Sequence, residues 1–146
     1  MTEWVAIGIS ILAFGFSLFS FFKSNSLTKG QVEMQIREMI SSAKWRYADL
    51  GIQLSHDNEN TTLKASTTAA LEDVLNAYDE ACAKYIDNKV DRERFKKLYV
   101  TEIRNLVEDE NTKHYYIMPQ SRFQPTVKVY RKWNNLESVT KTGRGS

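Results

Sequence analysis

The stretch from Trp4 to Phe22 contains no charged residue, and it constrains the fold more than any other part of the chain. In a helix this stretch rises about 28 Å, close to the thickness of the hydrocarbon core of a bilayer. A helix of a water-soluble domain needs only one apolar face, whereas this one is apolar all round. Trp4 at one end and Lys23 beyond the other suit the two membrane interfaces. The sequence therefore predicts a transmembrane helix over residues 1–22.

The alternative for this stretch is a cleaved signal peptide, which carries basic residues before a shorter apolar run and a small-residue cleavage site after it. Only Met-Thr-Glu precedes the apolar run here, and no A-x-A-like site follows it. Lys23 and Lys29 follow the run closely, and the positive-inside rule places that side in the cytoplasm. We therefore expect a retained single-pass anchor with its N-terminus outside and its C-terminal domain in the cytoplasm.

Small residues recur along the apolar stretch at alternating spacings of four and three positions. They are Ala6, Ser10, Ala13, Ser17, Ser20 and Ser24. We call this set the small-residue stripe; its spacing fits left-handed supercoiling of several copies, and small residues let membrane helices approach closely. Two interpretations stay open, because the stripe either packs helices together or lines a pore between four or more of them. Both predict that the protein binds itself as well as the lipid bilayer.

After the span, the sequence predicts a polar joint over residues 23–30, a cytosolic helical domain over residues 31–139 and a flexible tail over residues 140–146. The tail ends in Thr-Gly-Arg-Gly-Ser, which is typical of a sequence left by cloning. Thr28 and Gln31 fit a capping box that would start the first helix of the domain. The predicted fold class is all-α, with one N-terminal transmembrane helix followed by a small helical bundle.

Apolar residues at helical spacing predict four helices after the joint. The first shows Val32, Ile36, Met39, Ile40, Ala43, Tyr47, Leu50 and Leu54 on one side. We expect it to end or bend at Gly51, and we expect the second helix to be capped among residues 66–68 after a polar loop. We expect residues 87–89 to turn the chain, Asp91 to cap the third helix and Pro125 to be the first residue of the fourth. Residues 115–118 fit a strand, a helical turn or a packing plug, and no heptad pattern is long enough for a soluble coiled coil.

The sequence offers little chemistry, so we expect no enzyme, no metal and no cofactor. His56 and His114 belong to no metal-spaced cluster, and both fit surface or packing positions. Cys82, the single cysteine, falls on the apolar face of its helix and fits an inert buried thiol. A net charge of +2 argues against a dedicated nucleic-acid binder.

Basic residues cluster near the C-terminus and are interleaved with aromatic ones. The candidates for binding an anionic ligand, such as a nucleotide, are Arg122, Lys128, Arg131, Lys132 and Tyr130. Aromatic rings beside arginines stack on bases while the guanidinium groups hold phosphates. The alternative is an amphipathic helix whose Tyr130 and Trp133 are core residues and whose basic residues face water.

The segments Leu75–Phe95 and Val127–Trp133, placed behind one N-terminal span, resemble those of small bacterial single-span membrane proteins with a helical cytosolic domain. This group includes transmembrane effectors of anti-phage defence systems. The resemblance implies an inner-membrane oligomer that permeabilises or depolarises the membrane when its cytosolic domain receives a signal, from a partner protein or a nucleotide ligand. Two functions stay open: a gated pore acting in abortive infection, and a membrane-anchored helical adaptor that does not conduct.

Overall fold

The structure, a computed structural model, describes the backbone of residues 2–117 and 119–142 and the side chains of residues 28–117 and 119–135. Its elements are the helices α1 (Thr2–His56), α2 (Thr61–Ile86), α3 (Arg92–Glu108) and α4 (Gln124–Thr142), with a 3-10 turn at Lys113–Tyr116. No strand occurs among the described residues. The predicted all-α class is therefore confirmed.

Helix α1 continues without a break through residues 23–30, where the sequence predicts a polar joint. Thr28 therefore lies inside the helix, and the predicted capping box is wrong. Nothing in this segment forces a stop, because it holds no proline and Gly30 costs only about 1 kcal/mol relative to alanine in a helix. Gly51 does not stop the helix either, since α1 continues past it to His56.

Helix α2 begins earlier than the sequence predicts. Asn60 is its N-cap, and the side chain of Asn60 accepts a hydrogen bond of 3.0 Å from the backbone N–H of Leu63. Thr67 and Thr68 do not cap the helix, because their hydroxyls donate to backbone carbonyls one turn back, at 2.9 and 3.0 Å. Threonine can satisfy its hydroxyl in this way inside a helix, so a threonine in the sequence does not by itself mark a helix start.

The turn between α2 and α3 is the predicted one. Asn88 has a φ of 58°, which places it in the left-handed region that asparagine tolerates better than most residues. The N–H of Lys89 donates to the carbonyl of Lys84 at 2.9 Å, which closes a Schellman-type helix end. Asp91 then caps α3, as predicted: its side chain accepts a hydrogen bond of 2.9 Å from the backbone N–H of Arg94.

Helix α2 lies at the centre of the bundle and contacts α1, α3 and α4. The main core contains residues from all four helices and from the α2–α3 turn. Its buried members include Ile36, Ile40, Val74, Tyr78, Tyr85, Val90, Phe95, Ile103, Val129 and Trp133. The aromatic members stack at its base, where the ring of Tyr85 meets Trp133 edge-on with centroids 5.4 Å apart. The core thus joins the second half of α1 to the rest of the domain.

A second, smaller core lies under the segment between α3 and α4. Leu75, Tyr116, Phe123 and Val127 are buried together there. Of the alternatives left open for this segment, the helical turn is the observed one, since residues 113–116 form a 3-10 turn. The ring of Tyr116 packs inward from this turn. Helix α4 begins at Gln124, one residue before Pro125, and runs to Thr142, so residues 140–142 are helical rather than part of a flexible tail. Residues 143–146 lie outside the described part of the chain.

Candidate functional site

The structure does not bring together the five residues predicted to bind an anionic ligand. Arg122 lies before α4, and its guanidinium group pairs with Glu72 of α2 at 2.7 Å. The hydroxyl of Tyr130 faces α3, where it donates to the carboxylate of Glu108 at 2.6 Å. Both residues are therefore engaged with acidic partners, which compete with any anionic ligand.

The other three candidates, Lys128, Arg131 and Lys132, are exposed and share one side of α4 by their spacing. Trp133, next to them in sequence, is buried, and its indole N–H donates to the hydroxyl of Tyr85 at 3.1 Å. This confirms that Trp133 is a core residue and leaves it out of reach as a stacking platform. The basic residues of α4 thus form a solvated helix face.

A concave surface of the described residues is a groove between α1 and α3. Its lining residues are Arg37, Ser41, Lys44, Trp45 and Ala48 of α1 and Leu98, Tyr99 and Glu102 of α3, with Ile40 at the base. The pair of Lys44 with Glu102, at 3.0 Å, bridges the groove, and the pair of Glu33 with Arg94, also at 3.0 Å, joins α1 to α3 outside it. We call this surface the α1–α3 groove.

A hydrogen-bonded network forms the floor of the α1–α3 groove. Glu102 accepts from Lys44 on one carboxylate oxygen and from the hydroxyl of buried Tyr78 on the other. Burial, followed by the hydrogen bond and charge of Glu102, raises the pKa of Tyr78 far above its ordinary value of 10.0. Tyr78 therefore stays a neutral donor across the physiological range and fixes Glu102, so the network joins α1, α2 and α3.

Large apolar side chains are exposed on both walls of this region. Trp45 is 75% exposed, Met34 74% and Ile52 62%, all on α1, and Leu98 on α3 is 49% exposed. Met34, Trp45 and Ile52 lie outside the apolar side of α1 that the sequence pattern predicts, which is the side that packs in the bundle. The signal that could have found them is their spacing along α1, which is that of a second apolar face.

A buried polar cluster lies where α2 meets the start of α4. Asp79 accepts two hydrogen bonds from Thr126, at 3.0 Å from its N–H and 2.9 Å from its hydroxyl. Burial raises the pKa of the nearby Cys82 thiol to about 12, which confirms the predicted inert thiol. The hydroxyl of Tyr116, the remaining member, is buried and makes no hydrogen bond in the described structure. The cluster joins two helices and exposes no nucleophile.

The two histidines occupy exposed positions. His56 ends α1, and the ring of His114 lies against Tyr115 with centroids 4.1 Å apart. Among the described residues, no group of three or more His, Cys, Asp or Glu side chains is arranged to hold a metal ion.

The predicted span and the small-residue stripe fall on the first part of α1. Within the described part of the chain, no helix is both long enough and apolar enough to cross a membrane. The backbone of residues 4–22 is helical as predicted, but the side chains of Ala6, Ser10, Ala13, Ser17, Ser20 and Ser24 lie outside the described residues.

Comparison of the chain with models of known protein families, with curated proteins and with solved structures gives no match. The class that the described residues define is an all-α bundle centred on α2, in which the second half of the long helix α1 is at once a core element and an exposed surface.

Proposed function

We propose that this chain is a membrane effector: an oligomer of four or more copies whose N-terminal segments span a bacterial inner membrane and form a pore that the helical domain gates. The charge-free stretch over residues 4–22 supports the membrane location, and the small-residue stripe supports close packing of several copies. The basic residues after the stretch support a cytoplasmic domain. A role in anti-phage defence is the part of the proposal that rests on the resemblance alone.

The observation that carries this proposal is the continuity of α1. One helix runs from Thr2 to His56, so the apolar stretch and the core residues Ile36 and Ile40 belong to the same rigid element. A flexible joint would let the domain move without moving the span, whereas a helix transmits both rotation and tilt. Any change in the packing of α1 against α2 therefore acts directly on the membrane segment.

Gating needs two packings of the assembled helices whose free energies differ by a few kcal/mol, and a signal that binds one of them better. The bundle offers a surface for such a signal in its α1–α3 groove, which is bridged by the exposed pair of Lys44 with Glu102, and an exposed pair contributes only about 0–1 kcal/mol. A partner protein that replaces this pair can shift the packing at low cost.

The test is ion leakage from liposomes reconstituted with the full chain, paired with the mass of the protein in nanodiscs. We expect a discrete oligomer that leaks, and we expect Ser17→Leu to abolish leakage while expression and mass are kept, because leucine at this position fills the lumen. The matched control is Ile11→Leu, which conserves volume outside the small-residue stripe and should leave leakage unchanged.

Two outcomes would overturn the pore. A monomer or dimer in tight liposomes would leave the membrane-anchored adaptor as the function. Leakage that Ser17→Leu and Ile11→Leu affect equally would show that the stripe packs helices and lines no lumen.

A further inference from the structure

The exposed apolar residues of α1 lie opposite the face that the bundle buries. At about 100° per residue, Met34, Trp45 and Ile52 fall within roughly 20° of one another around the helix axis. Ile36, which is buried, lies roughly 160° away from them. Helix α1 therefore has two apolar faces, and the described structure covers only one of them.

The residues of the exposed face recur at heptad spacing. Their positions alternate by four and three residues: Met34, Glu38, Ser41, Trp45, Ala48 and Ile52. We call these six positions the seam. Counting back from Met34 by the same spacing passes Gln31 and Leu27 and reaches Ser24, the last member of the small-residue stripe. The seam and the stripe are thus one uninterrupted pattern along one uninterrupted helix.

A pattern of this period winds around a straight helix by about 20° per heptad, and left-handed supercoiling of several helices keeps it facing a common axis. A pattern that faced only lipid, or only the bundle, would have no reason to keep this period from the membrane stretch into the domain. The shared period therefore indicates that the seam meets the same partner as the stripe, which is α1 of another copy.

The charges beside the seam support a second copy in parallel orientation. Arg37 and Lys44 flank one edge of the seam, and Ser42 and Asp49 flank the other. In a parallel pair each edge faces the opposite edge of the neighbour, which places Lys44, whose ammonium group also pairs with Glu102 of its own copy, beside Asp49 of the next. An antiparallel pair would place basic residues against basic residues. Copies that cross one membrane in the same direction are parallel by necessity.

The α1–α3 groove gives the neighbouring helix a place to pack. Trp45, Ser41 and Ala48 belong both to the seam and to the lining of the groove, and Leu98 of α3 forms its far wall. Since α2 packs on the opposite side of α1, the bundles of the assembled copies point outward and the α1 helices lie innermost.

We propose that the seam of α1 binds the seam of neighbouring copies in a parallel, in-register left-handed bundle that continues the membrane assembly into the cytoplasm. This inference rests on the proposed function in one respect, the parallel insertion of the copies. The polar residues Glu38 and Ser41 weaken the seam, because polar residues at core positions of a coiled coil lower its stability. The seam thus opens and closes reversibly and supplies the second packing that gating needs.

Cysteine cross-linking tests this arrangement in the full chain, in nanodiscs, with a copper–phenanthroline oxidant. Ser41→Cys lies in the seam and Ser42→Cys one residue outside it, and both serines are exposed. A disulfide needs Cα atoms within about 4.4–6.8 Å, a distance that symmetry-related seam positions can reach and flanking positions cannot. The native Cys82 is buried and does not contribute. We expect Ser41→Cys to cross-link at least about tenfold faster than Ser42→Cys.

A second pair of variants tests the seam without a cross-link. Trp45→Ala and Tyr47→Ala both remove an aromatic ring from α1, two positions apart and on different faces. We expect Trp45→Ala to lower the association constant about tenfold or more, the size typical of an aromatic anchor, and to leave the melting temperature of the dissociated protein unchanged. Tyr47→Ala should leave association within about threefold of the parent, because Tyr47 lies outside the seam.

The seam is refuted if Ser41→Cys and Ser42→Cys cross-link at equal rates, or if Trp45→Ala leaves association unchanged. Liposome leakage, measured on the same variants, distinguishes failure of the seam from failure of the pore. Leaky liposomes without preferential cross-linking at Ser41→Cys overturn the seam and keep the pore, whereas tight liposomes with that cross-link overturn the pore and keep the seam.

Discussion

Asp79 caps helix α4 from a distance, and its replacement gives the sharpest test of how the domain is held together. Helix α4 begins at Gln124, so the N–H of Thr126 is one of the donors that a helix start leaves without an intrahelical partner. Phe123, the residue before the helix, has no side-chain acceptor. Asp79 of α2 supplies the acceptor instead, at 3.0 Å from this N–H and 2.9 Å from the Thr126 hydroxyl.

The magnitude follows from these two contacts. Asp79→Ala removes a cap, which costs about 1 kcal/mol, and leaves buried donors of Thr126 unsatisfied, which costs about 1–3 kcal/mol. Because the two costs overlap, we expect a loss of about 2–3 kcal/mol in the free energy of unfolding. Asp79→Asn keeps an acceptor in the same place, so we expect it to lose less than about 1 kcal/mol.

The pH dependence of these variants gives a second readout. Burial raises the pKa of Asp79 above its ordinary value of 3.8, and it outweighs the hydrogen bonds from Thr126, which lower that pKa. The folded state therefore holds this proton more tightly than the unfolded state. The corresponding stability is complete below pH 3.8 and is lost as pH rises through the raised value. Asp79→Asn has no titrating group at this position, so its stability does not change with pH in this way.

The assay is urea unfolding of the full chain in mild detergent at a series of pH values, followed by tryptophan fluorescence. Trp133 is buried and reports unfolding, whereas Trp45 is already exposed in the folded protein. Glu80→Gln is the matched control, since Glu80 is exposed and its pair with Lys84 spans 3.7 Å. The reasoning is refuted if Asp79→Ala costs no more than Glu80→Gln, or if the stability of the parent relative to Asp79→Asn rises with pH.

Two further predictions concern the helices around this cap. Ile103→Ala should cost about 2–5 kcal/mol because Ile103 is fully buried, whereas Ile52→Ala, on the exposed face of α1, should cost less than about 0.5 kcal/mol; equal losses in urea unfolding would contradict the described core. The hydrogen bond from the N–H of Arg94 lowers the pKa of Asp91, so its contribution is present above its ordinary pKa of 3.8 and is lost as pH falls below it. Asp91→Asn should therefore flatten the acid side of the stability curve, and an unchanged acid limb would count against the cap.

The local elements of the fold could be predicted because they depend on neighbouring residues. The turn at Asn88 follows from a residue type that tolerates the left-handed region, and the cap at Asp91 follows from a side chain that accepts from a backbone N–H three residues on; both predictions are confirmed. The helix starts and stops at Thr28, Gly51 and Thr67 were predicted wrongly for a common reason. Polar residues and single glycines are tolerated inside a helix when its other turns are well packed, and the sequence alone does not show that packing.

The candidate site could be predicted only in part, because its contacts are remote in sequence. Arg122 and Tyr130 were grouped with the basic residues of α4, yet their partners Glu72 and Glu108 belong to α2 and α3. The same holds for Asp79, which lies far from Thr126 in the chain. No periodicity records such pairs, so only the arrangement of the helices can reveal them.

The way in which α1 is attached decides where a signal from the bundle enters it. The ion pairs of Lys44 with Glu102 and of Arg46 with Asp73 are partly exposed, so each contributes little. Apolar contacts of Ile36 and Ile40 with the core therefore supply most of the attachment.

Ile36 lies about 21 Å along the helix from Phe22, so the bundle buries α1 mainly in the part nearer to the predicted span. Beyond Lys44 the bundle buries less of α1, since Tyr47 is exposed and Leu50 is only half-buried. Trp45 and Ile52, two of the three large apolar residues of the seam, lie on this half. A neighbouring copy that binds there adds its contacts where the bundle supplies fewest. Opening the proposed seam therefore frees the far half of α1 first, while the bundle keeps its contacts with the half nearer to the predicted span.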